Sequence, residues 1–343
     1  MENRSHWVDY AKAIGIVLVV YGHVLKGLHS AGIKMPEAFY ELSYSIVYTF
    51  HMPLFFFLSG LFFYSSFSKR GAKKLVFSKI DTIVYPYIVW SVFQGLIEAF
   101  LSDYTNGNVA YSDVFSLLWA PRAQFWFLYA LFLIFVLSSA IFSLVSKRFA
   151  VLVTALAALA YIASSALPDF FIIGFLSRNF VFFLLGILFT EYCKAEQFSS
   201  LYYVSGLTLL FLCGQYVFHF PLGLYYENKG VASLCLALVS ILTVVSISSF
   251  LSVRHYRFFV FIGTSSMAIY LMHILAGSGV RVILKSLMGI DSFAVHIVAG
   301  TLLGVLAPLL AVFIINKFNI PYVFSAPVSR WVSGLLGKTT ART

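Results

Sequence analysis

The chain has 343 residues, of which 61% are hydrophobic and only 10% charged, and its mean hydropathy is +0.92. Soluble domains carry about 25% charged residues, so these proportions exclude a water-soluble globule. The net charge of +10 would suit nucleic acid, but its distribution follows membrane topology instead, and no nucleic-acid partner is expected.

Apolar runs about 20 residues long, enough for a helix to cross hydrocarbon, recur along nearly the whole chain. They predict spans near 7–28, 43–64, 79–101, 125–145, 149–167, 171–192, 200–218, 231–251, 259–282 and 294–316. Period-2 alternation is missing, which excludes an outer-membrane barrel. The expected fold class is therefore all-α: a polytopic bundle of about ten transmembrane helices. With the N-terminus inside, the cytoplasmic segments hold 15 of the 23 Lys and Arg residues and the outer segments 7, with Lys12 inside the first span. This bias predicts that both termini are cytoplasmic. One membrane domain is expected over 1–316, followed by a cytoplasmic tail over 317–343. In that tail, 327–336 reads as a short amphipathic helix on the inner leaflet. The first apolar run ends without a small-residue cleavage site and reads as a retained span. Cys193, Cys213 and Cys235 show neither a disulfide framework nor metal-ligand spacing, so no metal site is expected.

Span 1, WVDYAKAIGIVLVVYGHVLKGL, places Asp9, Lys12 and His23 in an otherwise apolar helix. Charged or titratable groups in hydrocarbon are costly and mark function by default. Lys12 and His23 are eleven positions apart, which leaves only about 20° between their directions and about 16 Å along the axis. Asp9 lies about 60° away on the same side, and Gly15 and Gly22 flank the stripe, allowing another helix to approach. Against this stands a plainer reading, in which Lys12 snorkels to the interface with Asp9 as its surface partner.

Span 2, YSIVYTFHMPLFFFLSGLFF, contains His51 and Pro53. Pro53 has no N–H for the Thr49 carbonyl, so a kink is expected beside His51. Next, KRGAKKLVFSK puts five basic residues between Lys69 and Lys79; this is either ordinary positive-inside topology or a cradle for phosphates. The longest outer loop, 102–124, leads into Gln124, Phe125 and Trp126, which either belong to the interfacial belt or stack on a sugar ring. Span 9 carries His273 seven positions after Ser266. A histidine bonded to a neighbouring helix is the structural alternative there. His23, His51 and His273 fall about 8, 12 and 14 Å below the outer boundary at 1.5 Å per residue. Three imidazoles at similar depth suggest one chamber with a general base.

Together WVDYAKAIGIVLVVYGH (7–23), FHMPLFFFLSGLFF (50–63), YPYIVW (85–90), FWFLYALF (125–132) and SSMAIYLMHIL (265–275) resemble the bacterial membrane acyltransferase-3 family. The resemblance implies a ten-helix bundle in the cytoplasmic membrane. Such a bundle takes an acyl group, usually acetyl, from cytoplasmic acyl-CoA to a sugar hydroxyl of a surface polysaccharide or lipid-linked glycan outside. The family's first-span basic residue and His map onto Lys12 and His23. At the entry to span 3, where relatives carry two arginines three apart, this chain has Lys79 and Thr82, and Lys73 or Lys74 is the expected compensation. No appended hydrolase-like domain is seen, which fits the stand-alone polysaccharide O-acetyltransferases.

The expectation is thus a membrane O-acyltransferase with acyl-CoA as co-substrate and no permanently bound cofactor. Its partners are the sugar acceptor and membrane lipid. His23, His51, Lys12 and Asp9 are the catalytic candidates. Lys12, Lys73, Lys74 and Lys79 are candidates for holding the donor's phosphates, and His273, Trp126 and Gln124 for the acceptor. Direct transfer and an acyl-enzyme both remain open. The rival reading is a transporter or flippase with a histidine proton relay. Transporters often show paired broken half-spans, whereas only isolated Pro53, Pro86 and Pro308 occur here.

Overall fold

The structure is a computed structural model that describes residues 6–101, 110–168, 170–254 and 256–331. Among these residues no strand occurs. In chain order the helices are α1 (His6–Ser30), α2 (Glu37–Tyr48), α3 (His51–Gly60), α4 (Phe63–Lys79), α5 (Tyr85–Phe100), α6 (Tyr111–Phe115) and α7 (Trp126–Leu144). They continue as α8 (Ala150–Ile162), α9 (Phe171–Tyr192), α10 (Leu201–His219), α11 (Val231–Ser252), α12 (Arg257–Thr264), α13 (Ser266–Val282) and α14 (Phe293–Lys317).

Nine helical segments among the described residues are long and apolar enough to cross a membrane. Of the ten expected spans, the fifth is the one that falls short. Its helix, α8, has 13 residues, about 20 Å at 1.5 Å per residue. The helix gives way to a 3₁₀ turn over Ser164–Ala166. Leu167, preceding Pro168, is then extended at ψ 155°, as a residue before proline must be. The expected ninth span is two helices, α12 and α13, meeting at Ser265. The tail helix expected over 327–336 begins at Val328 and continues to Trp331; its remainder lies outside the described residues, as does 102–109 of the long loop.

The chain divides into two compact units. The first, of residues 1–61 and 150–312, is built around α1. That helix is buried on several sides, with Trp7, Tyr10, Ile16, Val20 and Leu25 among its covered residues, as an all-round apolar helix requires. It packs against α2, α3, α11, α12 and α13. Glycines set the close approaches. A Cβ on Gly15 would lie 3.0 Å from Phe55, one on Gly22 2.8 Å from Tyr48, and one on Gly304 of α14 2.6 Å from Val20. The expectation that Gly15 and Gly22 admit a neighbouring helix therefore holds, with span 2 as the neighbour.

Span 2 is broken rather than bent. α2 ends at Thr49, Phe50 leaves helical geometry at φ −142° and ψ −18°, and α3 restarts at His51. Pro53 therefore sits in the first turn of α3, where its missing N–H costs no intrahelical bond. Along α2, Tyr40, Tyr44 and Tyr48 share a face at i, i+4 spacing. Their rings form a ladder, with centroids 5.5 and 3.8 Å apart. His29 stacks on its first rung at 3.9 Å, and Tyr226 meets Tyr48 edge-on at 5.3 Å.

The second unit comprises residues 62–149 and 313–343. Its α4 carries the basic stretch and changes direction at Gly71, whose φ of 72° suits glycine. A one-turn π-helix over Ile80–Val84 leads into α5. The chain after α14 is fastened to this segment: Asp81 accepts from the backbone N–H and hydroxyl of Ser329 at 2.7 and 2.6 Å. Trp90 donates to the Val323 carbonyl at 2.9 Å and Tyr85 to that of Tyr322 at 2.8 Å.

Candidate active site

The C-terminal half of α1 supplies His23, and α13 brings His273 beside it. Their ring centroids are 5.0 Å apart at an interplanar angle of 59°, well inside the one-helix-diameter distance that a shared chamber requires. Both line a pocket with Val24, Gly27, Arg281 and Ser278, and with His296 and Gly300 of α14. The pocket has about 30 Å³ of space open to water-sized groups. Small residues keep it open: Gly27, Gly277 and Gly300 are three of its eleven lining positions. Among the described residues no group of three or more His, Cys, Asp or Glu is arranged to hold a metal ion.

Backbone carbonyls orient the histidines. His273 Nδ1 donates to Ile269 and Tyr270 at 3.1 and 2.8 Å. His296 Nε2 donates to Ile290 at 2.7 Å. Arg281 is buried and donates through Nη1 to the Gly27 carbonyl at 2.8 Å, tying α13 to α1 at the pocket wall. A hydrogen bond from a charged donor to a neutral carbonyl is among the stronger kinds, about 1.5–3 kcal/mol.

His51 lies elsewhere in the same unit. Its Nδ1 donates to the Val47 carbonyl at 2.8 Å, and its ring meets Tyr48 edge-on at 4.5 Å. It is absent from the pocket's lining residues. Toward the N-terminal end of α1, Asp9 is buried at 3% exposure, and Gly263 of α12 rests on its backbone. Lys12 is half-buried and is likewise not a lining residue, so the pocket runs from His23 toward Gly27 and Arg281 rather than toward Lys12.

The remaining candidates belong to the second unit. Lys73 and Lys74 are exposed on α4, while Lys79 places its ammonium over the Phe135 ring, 4.2 Å from the centroid, a cation–π contact. Thr82 donates to the Ser78 carbonyl at 3.0 Å. Gln124 is buried, and its amide donates to Gln94 Oε1 at 2.7 Å. Gln94 in turn reaches Glu98, which pairs with Arg122 at 2.7 Å. Trp126 opens α7 half-buried. Lys12 and His23 thus share one unit, and Lys73, Lys74, Lys79, Gln124 and Trp126 the other.

Two pocket residues escaped the sequence reading. His296 lies near the start of α14, and Arg281 near the end of α13. Both sit near span ends, where the sequence assigns polar groups to the interface. The one signal available was their clustering beside His273 in sequence.

Comparison with known proteins agrees with the helical site. The nodulation protein NolL of Sinorhizobium fredii is 27% identical over 216 residues, covering 62% of this chain and 55% of that protein. NolL of Mesorhizobium japonicum is 27% identical over 192 residues, covering 55% and 49%. The chain therefore spans about half the length of these curated relatives. No solved structure matches. Residues 5–315 match the family described as an acyltransferase domain, which takes in all the pocket's lining residues and nearly the whole chain: the protein belongs to the acyltransferase-3 family.

Proposed function

We propose that the protein moves an acyl group, acetyl in the first instance, from cytoplasmic acyl-CoA to a hydroxyl of a sugar or lipid-linked glycan outside the bacterial inner membrane. The observation that carries this reading is the pairing of His23 with His273 at 5.0 Å inside a pocket walled by α1, α13 and α14. With the N-terminus cytoplasmic, the pocket lies in the outer half of the membrane. Lys12 then lies about 16 Å nearer the cytoplasm on α1, where it meets the donor's phosphates. Exposed Lys73 and Lys74 offer a separate cationic surface for the same phosphate chemistry.

The transfer balances without a co-reactant. His23 takes the proton from the acceptor hydroxyl, the oxygen attacks the thioester carbonyl, and a tetrahedral oxyanion forms. The C–S bond then breaks, leaving an O-acyl ester, and the departing CoA thiolate takes the proton back from the His23 imidazolium. General-base assistance of this kind contributes about 10²–10⁴-fold, and the pocket wall keeps competing water to a few molecules. Purified protein in proteoliposomes, supplied with radiolabelled acetyl-CoA on the Lys12 side and glycosides on the other, tests the reading. The expected result is label on the glycoside with stoichiometric free CoA. Transfer only when donor and acceptor share a side, or none at all, refutes it.

A further inference from the structure

Two residues that line the pocket each carry a buried nitrogen that this transfer does not use. His273 Nδ1 is committed to the Ile269 and Tyr270 carbonyls, and its Nε2 is buried with no hydrogen-bond partner. His296 has the opposite arrangement. Its Nε2 is committed to the Ile290 carbonyl, and its Nδ1 is buried with no partner. The two side chains are only 2% and 1% exposed. A neutral imidazole that donates from one nitrogen presents a lone pair on the other, so backbone carbonyls have fixed both tautomers with an acceptor left over.

Buried acceptors are ordinarily satisfied, and these two lie on different helices around one space. That space, about 30 Å³, accommodates about two water-sized groups. It therefore takes the edge of a ring, one hydroxyl for each bare nitrogen, and not a whole sugar residue. Lone pairs repel carboxylate and phosphate oxygens, and Arg281 on the wall directs Nη1 at the Gly27 carbonyl. The chemistry on offer is that of a neutral diol.

We propose that His273 Nε2 and His296 Nδ1 form a two-point reader for the acceptor, each accepting a hydrogen bond from one sugar hydroxyl and so presenting a neighbouring hydroxyl to His23. This rests on the acyl-transfer reading above. His273 stands against His23 and fixes the near hydroxyl, while His296 fixes the second and sets which position is acylated.

Two replacements at His296 separate reading from structure. In His296→Gln the side-chain amide reaches the Ile290 carbonyl in place of Nε2 but offers nothing at Nδ1. In His296→Asn an oxygen stands near Nδ1 and the bond to Ile290 is lost. Acetyl transfer is measured in proteoliposomes with the full chain, using methyl hexopyranosides and their monodeoxy analogues. The expected result is that His296→Gln raises KM for the glycoside by about tenfold or more and no longer discriminates against one particular monodeoxy analogue. His296→Asn should keep that discrimination. Wild-type behaviour in His296→Gln together with impairment in His296→Asn assigns His296 to structure and overturns the proposal. If the wild-type protein acylates none of the glycosides, the sugar-transfer reading falls, and this inference with it.

Discussion

The imidazoles of His23 and His273 stand 5.0 Å apart where α1 packs on α13, although 250 residues separate them in the chain. His273 is held by two carbonyls of its own helix, so its ring is a fixed wall against which His23 works. Such a pairing gives a rigid partner to the one histidine that the proposed chemistry asks to gain and lose a proton.

His23→Ala should lower acyl transfer by about 10²–10⁴-fold with little change in thermal unfolding, because His23 is half-buried and its loss enlarges an existing pocket. Radiolabel transfer and an unfolding curve on the same preparation check this. Activity within a few-fold of wild type would remove His23 from the chemistry.

α14 reaches α1 through Gly300 and Gly304, where an added Cβ would lie 3.0 Å from Val24 and 2.6 Å from Val20. Gly304→Ala should therefore destabilise the protein by about 1–3 kcal/mol, the usual cost of overpacking. Val20→Ala in the same chain should recover most of that loss, since residues in contact are non-additive. Additive effects in the double-mutant cycle would show that the two helices do not meet there.

How far the sequence led can be judged on such residues. His23 and His273 were legible because an imidazole deep in an apolar run has few innocent explanations. His296 and Arg281 were not, since a polar residue near a span end is ordinarily an interface group. Gln124 was read as a sugar contact from its place beside Trp126. Its amide donates to Gln94, 30 residues earlier, and no local pattern announces that pairing. Pro53 correctly signalled an interruption of span 2, but the break falls at Phe50, because a helix tolerates proline in its first turn better than in its middle. The 149–167 run was long enough in hydropathy, yet the helix ends at Ile162 and the chain is extended before Pro168.

The tail after α14 should depend on Asp81. Asp81→Ala removes the acceptor for both Ser329 bonds, and the resulting loss of about 1.4 kcal/mol would raise the open population about tenfold. Trypsin cleavage at exposed Arg330 should quicken accordingly. Ser329→Ala, which keeps the backbone N–H bond, should have a smaller effect. Equal cleavage rates in all three proteins would mean that the latch carries no weight.

Lys229, in the connection between α10 and α11, donates to the Tyr226 carbonyl. Burial, together with the nearby Arg178 charge, lowers its pKa from 10.5 to about 8, with Glu227 opposing. The sign follows from linkage: the unfolded chain holds this proton more tightly, so the lysine's contribution to stability rises with pH between about 8 and 10.5. Relative to Lys229→Met, the wild-type protein should therefore gain stability across that window. A flat difference between the two unfolding curves would show the ammonium to be well solvated.

The break between α2 and α3 has an electrical consequence. A membrane that stores an ion gradient leaks wherever unsatisfied backbone groups let water string inward. Here Thr49 Oγ1 covers the Ile46 carbonyl at 2.7 Å, and the His51 imidazole covers that of Val47 at 2.8 Å. Below these, Leu54 N–H reaches back to Phe50 at 2.8 Å. The interruption is thus closed by its own side chains, and the gap offers water no open row of carbonyls.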